Sequence, residues 1–316
     1  MRKGQNPAKF VNSVEKPSRI TVAIINYIPF ISGFYKESLD VLKMSLESLS
    51  RSLRNDIDVM LFDNGSCDEV QDYLLDMQRN NQIQYLVLSK KNLGKGGAWN
   101  QIFGGAPGEI IAYADSDVLY MPGWLERSLE ILETYPNVGM VTSRPFRTKE
   151  DLFSKSYDWA KSYSEVKLQS GKLIPWEIFL EFNLSLGHSE DEIKKIYDSS
   201  QDVWVDHKNV RAVLGASHWQ FVAYKSVLKE FLPFDMERPM GQVRQLDERM
   251  NQKGYLRLMV PDPLVMNMSN TLINVPGSMK TSLKKIQTKK RIIDLPLIKK
   301  TLLFLYDRIF RWYYFD

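Results

Sequence analysis

The chain has 316 residues, of which 44% are hydrophobic and 25% charged, a balance that excludes a disordered chain or a fibre and allows a sizeable core. Its single cysteine, Cys67, excludes an internal disulfide framework and suits a reducing compartment. The net charge of +4 is uneven: residues 271–316 hold ten Lys/Arg against three Asp, which leaves −3 on the 270 residues before them.

No uninterrupted apolar run reaches the ~18–20 residues that span a bilayer. The polar segment 1–17 has no apolar core of the kind a secretory signal needs. With the basic residues gathered on one tail and no nucleic-acid module in the chain, a nucleic-acid partner is not expected.

Strands and helices alternate over the first 145 residues. Ile20–Ile25 is a β-branched apolar run and reads as a strand. Leu39, Leu42, Leu46, Leu49 and Leu53 recur at three- and four-residue steps, the inner face of a helix. Ile57–Phe62 reads as a second strand, Val70–Met77 as a second helix and Ile83–Leu88 as a third strand. A glycine-rich turn leads to a helix from about Gly97. Ile110–Ala114 is a fourth strand, a helix starts near Pro122, and Val138–Thr142 closes the series. Alternation of this kind predicts an α/β fold with a mostly parallel sheet flanked by helices. Residues 147–210 break the rhythm. They are rich in aromatic and charged residues at helical spacing and read as a helical insertion beside the sheet, with Trp159, Trp176 and Trp204 expected mainly in packing. Strand character returns over Val210–Tyr224 and Leu256–Val260.

The chemistry gathers at strand ends. Asp115-Ser116-Asp117 follows the fourth strand. Carboxylates two apart share one face of a strand and can serve one site, here where the strand ends and the chain turns. Such a pair suits a hard divalent cation on phosphate oxygens, although Asp-x-Asp alone is also a common solvated turn. Asp63-Asn64-Gly65-Ser66 follows the second strand and has ordinary turn composition. Asn92-Leu93-Gly94-Lys95-Gly96-Gly97 follows the third and opens a helix. Its glycines allow close backbone approach, and Lys95 and the helix N-terminus suit an anion. Its spacing is not that of a P-loop. All three fall beyond strand C-termini, where open α/β sheets bind ligands.

In order and spacing, Thr21–Tyr27, Phe62–Ser66, Asn92–Asn100 and Asp115–Asp117 resemble the motifs of family 2 glycosyltransferases of the GT-A fold. The likeness is close over about 18–145 and looser to about 270. It implies a Rossmann-like nucleotide-sugar domain and an inverting, metal-dependent transfer to a hydroxyl, with Mn²⁺ or Mg²⁺ as cofactor. The implied donor is a nucleotide-sugar, a UDP-sugar foremost; the implied acceptor is a glycan or lipid-linked glycan, as in surface polysaccharide assembly. By resemblance Asn26, Asp63, Asn64, Lys95, Gly96 and Asp115 belong to the donor nucleotide site, with Asp63 toward the base, Lys95 near the diphosphate and Asp115 facing the ribose. Asp117 is the implied direct metal ligand, with Asp115 beside it. Family members often carry a metal-ligating histidine in a late segment that here reads Asn267-Met268-Ser269-Asn270, which leaves Asn267 as the third candidate.

Gly215-Ala216-Ser217-His218-Trp219 is similar to the acceptor-receiving segment, with His218 and Trp219 as acceptor-binding candidates; a buried histidine and a core tryptophan are the plainer alternatives. Gln245–Tyr255 looks like the family's acidic motif at a helix start. It offers Asp247 as the base that takes the acceptor's proton and Glu248 as the alternative. The catalytic domain is expected over 18–270, as a nucleotide-sugar half (18–145), the insertion (147–210) and an acceptor-side half (211–270). The extension 271–316 suits an amphipathic interfacial helix behind a polybasic linker, which would place the protein in the cytoplasm on the inner membrane face; a helix docked on its own domain or a second subunit is the other expectation. A nucleotidyltransferase and a non-catalytic scaffold stay open as alternative functions.

Overall fold

The computed structural model describes residues 4–54, 56–238, 240, 242–273, 275–276 and 308. Of the extension 271–316, in which an amphipathic helix is expected, all but 271–273, 275–276 and 308 therefore lies outside the described residues. Among those residues the first half alternates as its sequence dictates: β1 (Ile20–Asn26), α1 (Ser38–Ser52), β2 (Asp58–Asp63), α2 (Asp68–Arg79), β3 (Tyr85–Leu88), α3 (Gly94–Gly105), β4 (Ile110–Asp115), β5 (Val118–Tyr120), α4 (Trp124–Thr134) and β6 (Val138–Thr142). The second half adds α5 (Ser154–Ser162), β7 (Lys167–Gly171), α6 (Trp176–Ser185), α7 (Glu190–Ser199), β8 (Asp202–His207), β9 (Val210–Leu214), β10 (Gln220–Tyr224), α8 (Lys225–Lys229), α9 (Gln242–Gln252), β11 (Leu256–Met259) and β12 (Val265–Asn267).

Ten strands form one sheet in the order β3-β2-β1-β4-β10-β6-β11-β9-β8-β7, and β5 pairs with β12 in a separate ribbon. β3, β2, β1 and β4 are mutually parallel, and β6 is parallel to β11. β10, β9 and β7 run against the rest. Seven of the ten strands thus share one direction, and the α/β sheet flanked by helices is as expected.

Alternation along each strand sends side chains to two covered faces. From β1, Val22 and Ile24 pack with Leu42, Leu46 and Leu49 of α1 and Val70 and Leu74 of α2. Ala23 faces the other way, into a layer with Trp99, Ile102 and Phe103 of α3 and Leu246 and Met250 of α9. In that layer Trp99 lies 5.4 Å from Phe103 and 5.6 Å from Tyr113 of β4, centroid to centroid. This aromatic packing fixes the start of α3 over the end of β4.

The strand order positions the site. The chain winds from β1 outward through β2 and β3, then returns to place β4 on the other side of β1. Adjacent parallel strands whose connections leave in opposite directions open a crevice at their carboxyl ends. Here those ends are Asn26 and Asp115, and Ile25 pairs with Asp115 in register.

Residues 147–210 hold three helices, but they are not only helical. β7 and β8 pair antiparallel and extend the main sheet through β9. β7 is the sheet's last strand, its residues half-buried or exposed, so it carries no apolar alternation to read. α6 and α7 close a small core of Ile174, Phe179 and Ile193. Arg147 Nε donates to buried Asp202 at 2.7 Å, and Asp202 also accepts from the backbone N–H groups of Leu173 and Ile174.

Candidate active site

The three sequence turns arrive together at the crevice. Asp63, at the end of β2, is fully buried. Its carboxylate accepts from Asn26 Nδ2 at 2.9 Å, Ser66 N at 3.0 Å and Gln71 Nε2 at 3.1 Å. Asn26 also donates to Ser66 Oγ at 3.0 Å, while its Oδ1 is buried with no hydrogen bond. Asp63 and Asn26 therefore brace the β1 and β2 ends. Asn64 braces the glycine-rich turn: it donates to Asn92 Oδ1 at 3.0 Å and Gly94 O at 3.2 Å, and accepts from Leu93 N at 2.9 Å.

The helix after that turn starts at Gly94, three residues earlier than its periodicity shows. Gly94 has φ +68, a backbone geometry glycine adopts without steric cost, and its N–H is received by Asn92 Oδ1 at 2.8 Å. Lys95 and Gly96 fall in the first turn, where backbone N–H groups lack intrahelical partners.

β4 ends at Asp115, and the chain turns through Ser116 and Asp117 before β5. Both carboxylates stand at that break. Lys95 Nζ lies 2.7 Å from the Asp115 carboxylate, and Tyr113 Oη donates to it at 2.7 Å. Burial, then the Asp115 charge, holds the Tyr113 hydroxyl well above its usual pKa. Burial together with the Asp115 charge pushes the Asp117 carboxyl up to about 7, with Lys95 opposing.

Two backbone bonds clamp this turn to distant segments. Asp115 N donates to Trp219 O at 2.9 Å, and Met268 N donates to Asp117 O at 2.8 Å. The first continues the β4–β10 ladder beyond the Ala114–Gln220 pair and brings His218 level with the turn. The second continues the β5–β12 pairing, in which Asn267 faces Val118. Asn267 is thus adjacent to Asp117, with its Oδ1 accepting from Ser269 N at 2.9 Å.

His218 does not stand alone. Its Nδ1 is 2.8 Å from Asp247 Oδ2, and Arg257 Nη2 donates to Asp247 Oδ1 at 2.7 Å. Asp247 sits mid-way along α9, not at the helix start its motif suggests. Arg257, on β11, is fully buried and also donates to Leu152 O and Ala216 O. Burial lowers its pKa, and Asp247 opposes that. The preceding segment is fixed at Gly215, which has φ +119; a Cβ there would meet Thr148 Oγ1 at 2.5 Å. Glu248 is not brought in. It is exposed and pairs with Arg244 Nε at 2.6 Å, one turn back on the same helix. Trp219 stacks on Phe182 of α6, with centroids 5.8 Å apart. Trp159 and Trp176 pack against Tyr135 and Tyr197, and Trp204 joins the Phe146–Phe182 cluster, as expected for packing roles.

Tyr113 and Arg257 escaped the sequence reading. The tyrosine was visible two residues before Asp115 and so on the same strand face. The arginine was visible as a lone cation in the apolar run Leu256–Val260, which calls for a buried counter-ion. Among the described residues, no three His, Cys, Asp or Glu side chains converge as a metal centre, and no helix is long and apolar enough to cross a membrane.

Residues 30–184 match the family model described as Glycosyl transferase family 2. An uncharacterized glycosyltransferase of Nostoc sp. (strain PCC 7120) is 30% identical over 100 residues, covering 32% of this chain and 31% of the relative. One of Methanocaldococcus jannaschii is 23% identical over 117 residues, covering 37% of this chain and 40% of the relative. The matches thus span less than half of those relatives' lengths. Among solved structures, a mannosyltransferase from Pyrobaculum calidifontis, in complex with GDP-Man and Mn²⁺, aligns with a TM-score of 0.46 at 17% identity. That alignment covers 80% of this chain and 57% of the other. Asp63, Asn64, Lys95, Asp115 and Asp117 all fall within residues 30–184, the region over which the chain is similar to glycosyl transferase family 2.

Proposed function

We propose that this protein transfers a glycosyl group from a nucleoside-diphosphate sugar to a hydroxyl of a glycan or lipid-linked glycan, with inversion in a single displacement. The observation that carries this is the meeting of three distant segments at one acidic turn. Lys95 and Asp115 are held 2.7 Å apart, and backbone bonds bring Trp219 and Met268 onto Asp115 and Asp117.

In this assignment the nucleotide lies over the ends of β1, β2 and β4. Asp63 and Asn26 shape its floor, and Asn64 holds the glycine-rich turn. Lys95 and the first N–H groups of α3, including that of Gly96, receive the diphosphate. Asp115 faces the ribose. Trp219 backed by Phe182 offers an apolar face for an acceptor ring.

A divalent cation fits the turn. Two carboxylates and the Asn267 carboxamide are hard oxygen donors of the type Mg²⁺ and Mn²⁺ accept, and burial with the Asp115 charge holds the Asp117 carboxyl up. Asp117 would hold the ion, with Asp115 and Asn267 beside it. Once bound, it would neutralise charge developing on the leaving diphosphate. Lys95 serves the same end from the other side. The acceptor's proton passes to the His218–Asp247 pair, a part-buried imidazole–carboxylate pair beside the turn.

Nucleotide binding measured by calorimetry tests the assignment. UDP, GDP, dTDP and CDP are titrated with and without Mn²⁺ or Mg²⁺, UDP first, into wild type and Asp117→Ala. Metal-dependent binding of one nucleotide, lost in the variant, is expected. Binding of none by the folded protein would contradict it and favour a scaffold that keeps the fold.

A further inference from the structure

We propose that, given glycosyl transfer at this site, the atom that takes the acceptor's proton is His218 Nε2, and that Asp247 is a positioning residue backed by Arg257. Three observations separate the two members of the pair. Both Asp247 oxygens are already engaged, one by Arg257 Nη2 at 2.7 Å and one by His218 Nδ1 at 2.8 Å. The Asp247 side chain is 6% exposed and that of Arg257 0%, while that of His218 is 27% exposed. An acceptor hydroxyl can reach His218 without breaking anything, but reaches Asp247 only by displacing the imidazole. Third, His218 Nε2 makes no hydrogen bond among the described residues.

The tautomer follows from the partners. A carboxylate that accepts from a guanidinium on one oxygen accepts from the imidazole on the other, so the imidazole proton sits on Nδ1, toward Asp247. The lone pair is then on Nε2, at the ring's outer edge. This is the same division of labour in which a carboxylate fixes a histidine's orientation and stabilises the imidazolium that forms. The backbone reinforces it. His218 precedes Trp219, whose carbonyl receives Asp115 N, so the ring's Cα is held beside the turn that binds the leaving group. Asp247, by contrast, is reached from α9 behind the ring.

The step balances as follows. The acceptor oxygen forms a bond to the anomeric carbon while its proton moves to His218 Nε2. The bond from that carbon to the diphosphate oxygen breaks, and the electron pair leaves with the nucleoside diphosphate. The imidazolium, paired with Asp247, returns its proton to water.

Release of nucleoside diphosphate from UDP-, GDP-, dTDP- and CDP-sugars, with water as the acceptor, provides the probe. His218→Ala, His218→Gln, Asp247→Asn and the double variant H218A/D247N are compared with wild type. Donor affinity is measured separately by calorimetry. General-base loss is expected to lower kcat about 10²-fold or more in both His218 variants, with donor KM and Kd unchanged. Added imidazole is expected to restore part of the rate in His218→Ala but not in Asp247→Asn. The double variant should be no slower than His218→Ala alone, because Asp247 acts through the ring. Either His218 variant keeping kcat within a few-fold while Asp247→Asn loses it would overturn the proposal. So would an additive loss in the double variant, or failure of imidazole to restore any rate. A wild type that binds no donor overturns the transferase assignment itself; normal donor binding with an indifferent His218 overturns only the proton assignment.

Discussion

The backbone N–H of Asp115 lies 2.9 Å from the carbonyl of Trp219, and this bond joins the two halves of the site. Asp115 ends β4, a strand of the parallel half. Trp219 immediately precedes the antiparallel strand β10 and follows His218, whose Nδ1 lies 2.8 Å from Asp247. The acidic turn and the His218–Asp247 pair are therefore joined through a backbone bond that continues the β4–β10 ladder.

The Asp117 carboxyl predicts an inverted pH dependence. Its folded-state pKa of about 7 exceeds the ordinary 3.8, so between those values the folded protein holds a proton the unfolded chain has lost. Metal-free stability from this group falls as pH rises through that window. Asp117→Asn is expected to be more stable than wild type at pH 8 by on the order of 2–4 kcal/mol and to converge with it toward pH 4. Urea denaturation in a chelator at each pH measures this. Saturating Mn²⁺ should close the gap by stabilising wild type alone.

Lys95 predicts effects of opposite sign on two ligands. Its charge opposes the shift at Asp117 and lies 2.7 Å from Asp115. Lys95→Met is expected to bind Mn²⁺ more tightly than wild type. Its nucleoside diphosphate affinity should fall about tenfold or more, the loss of one charge-assisted hydrogen bond. Calorimetric titration of each ligand separately checks both signs.

Removing Arg257 predicts a stability loss larger than that of a surface change. Arg257→Met leaves Asp247 buried without its guanidinium, at a cost of about 3–5 kcal/mol. Replacing both, as R257M/D247L, should recover much of that loss in urea denaturation. The double variant folds but does not recover turnover, because His218 then lacks its orienting carboxylate.

Asn64 predicts a local effect. It makes three hydrogen bonds to the turn at Asn92, Leu93 and Gly94. Asn64→Ala should leave buried backbone groups unpaired and cost about 1–3 kcal/mol. Hydrogen exchange should speed at residues 92–97 and stay unchanged in the β1–β4 core.

Much of this was legible because the first half obeys simple periods. β-branched runs gave β1, β2 and β4, and the leucine spacing of α1 gave the face that packs on Val22 and Ile24. Motif order then placed Asp63, Lys95 and Asp117 on one edge. The second half hid more. Asp247 and Glu248 are adjacent in sequence, yet one helical step turns them ~100° apart; only Asp247 faces Arg257, and no local pattern says which. β7 reads Lys-Leu-Gln-Ser-Gly, half-buried or exposed at the sheet margin, so it lacks the alternation that marks a strand. The start of α3 was masked by glycines, whose helix propensity is low.

The most direct measurement is release of nucleoside diphosphate from a panel of nucleotide-sugars, with and without Mn²⁺ or Mg²⁺, by wild type and Asp117→Ala. The site described here predicts turnover of one donor class that requires the metal and is lost in Asp117→Ala, with the variant still folded. Equal release by wild type and variant, or metal-independent release, would contradict the assignment of the Asp115–Asp117 turn to the donor diphosphate.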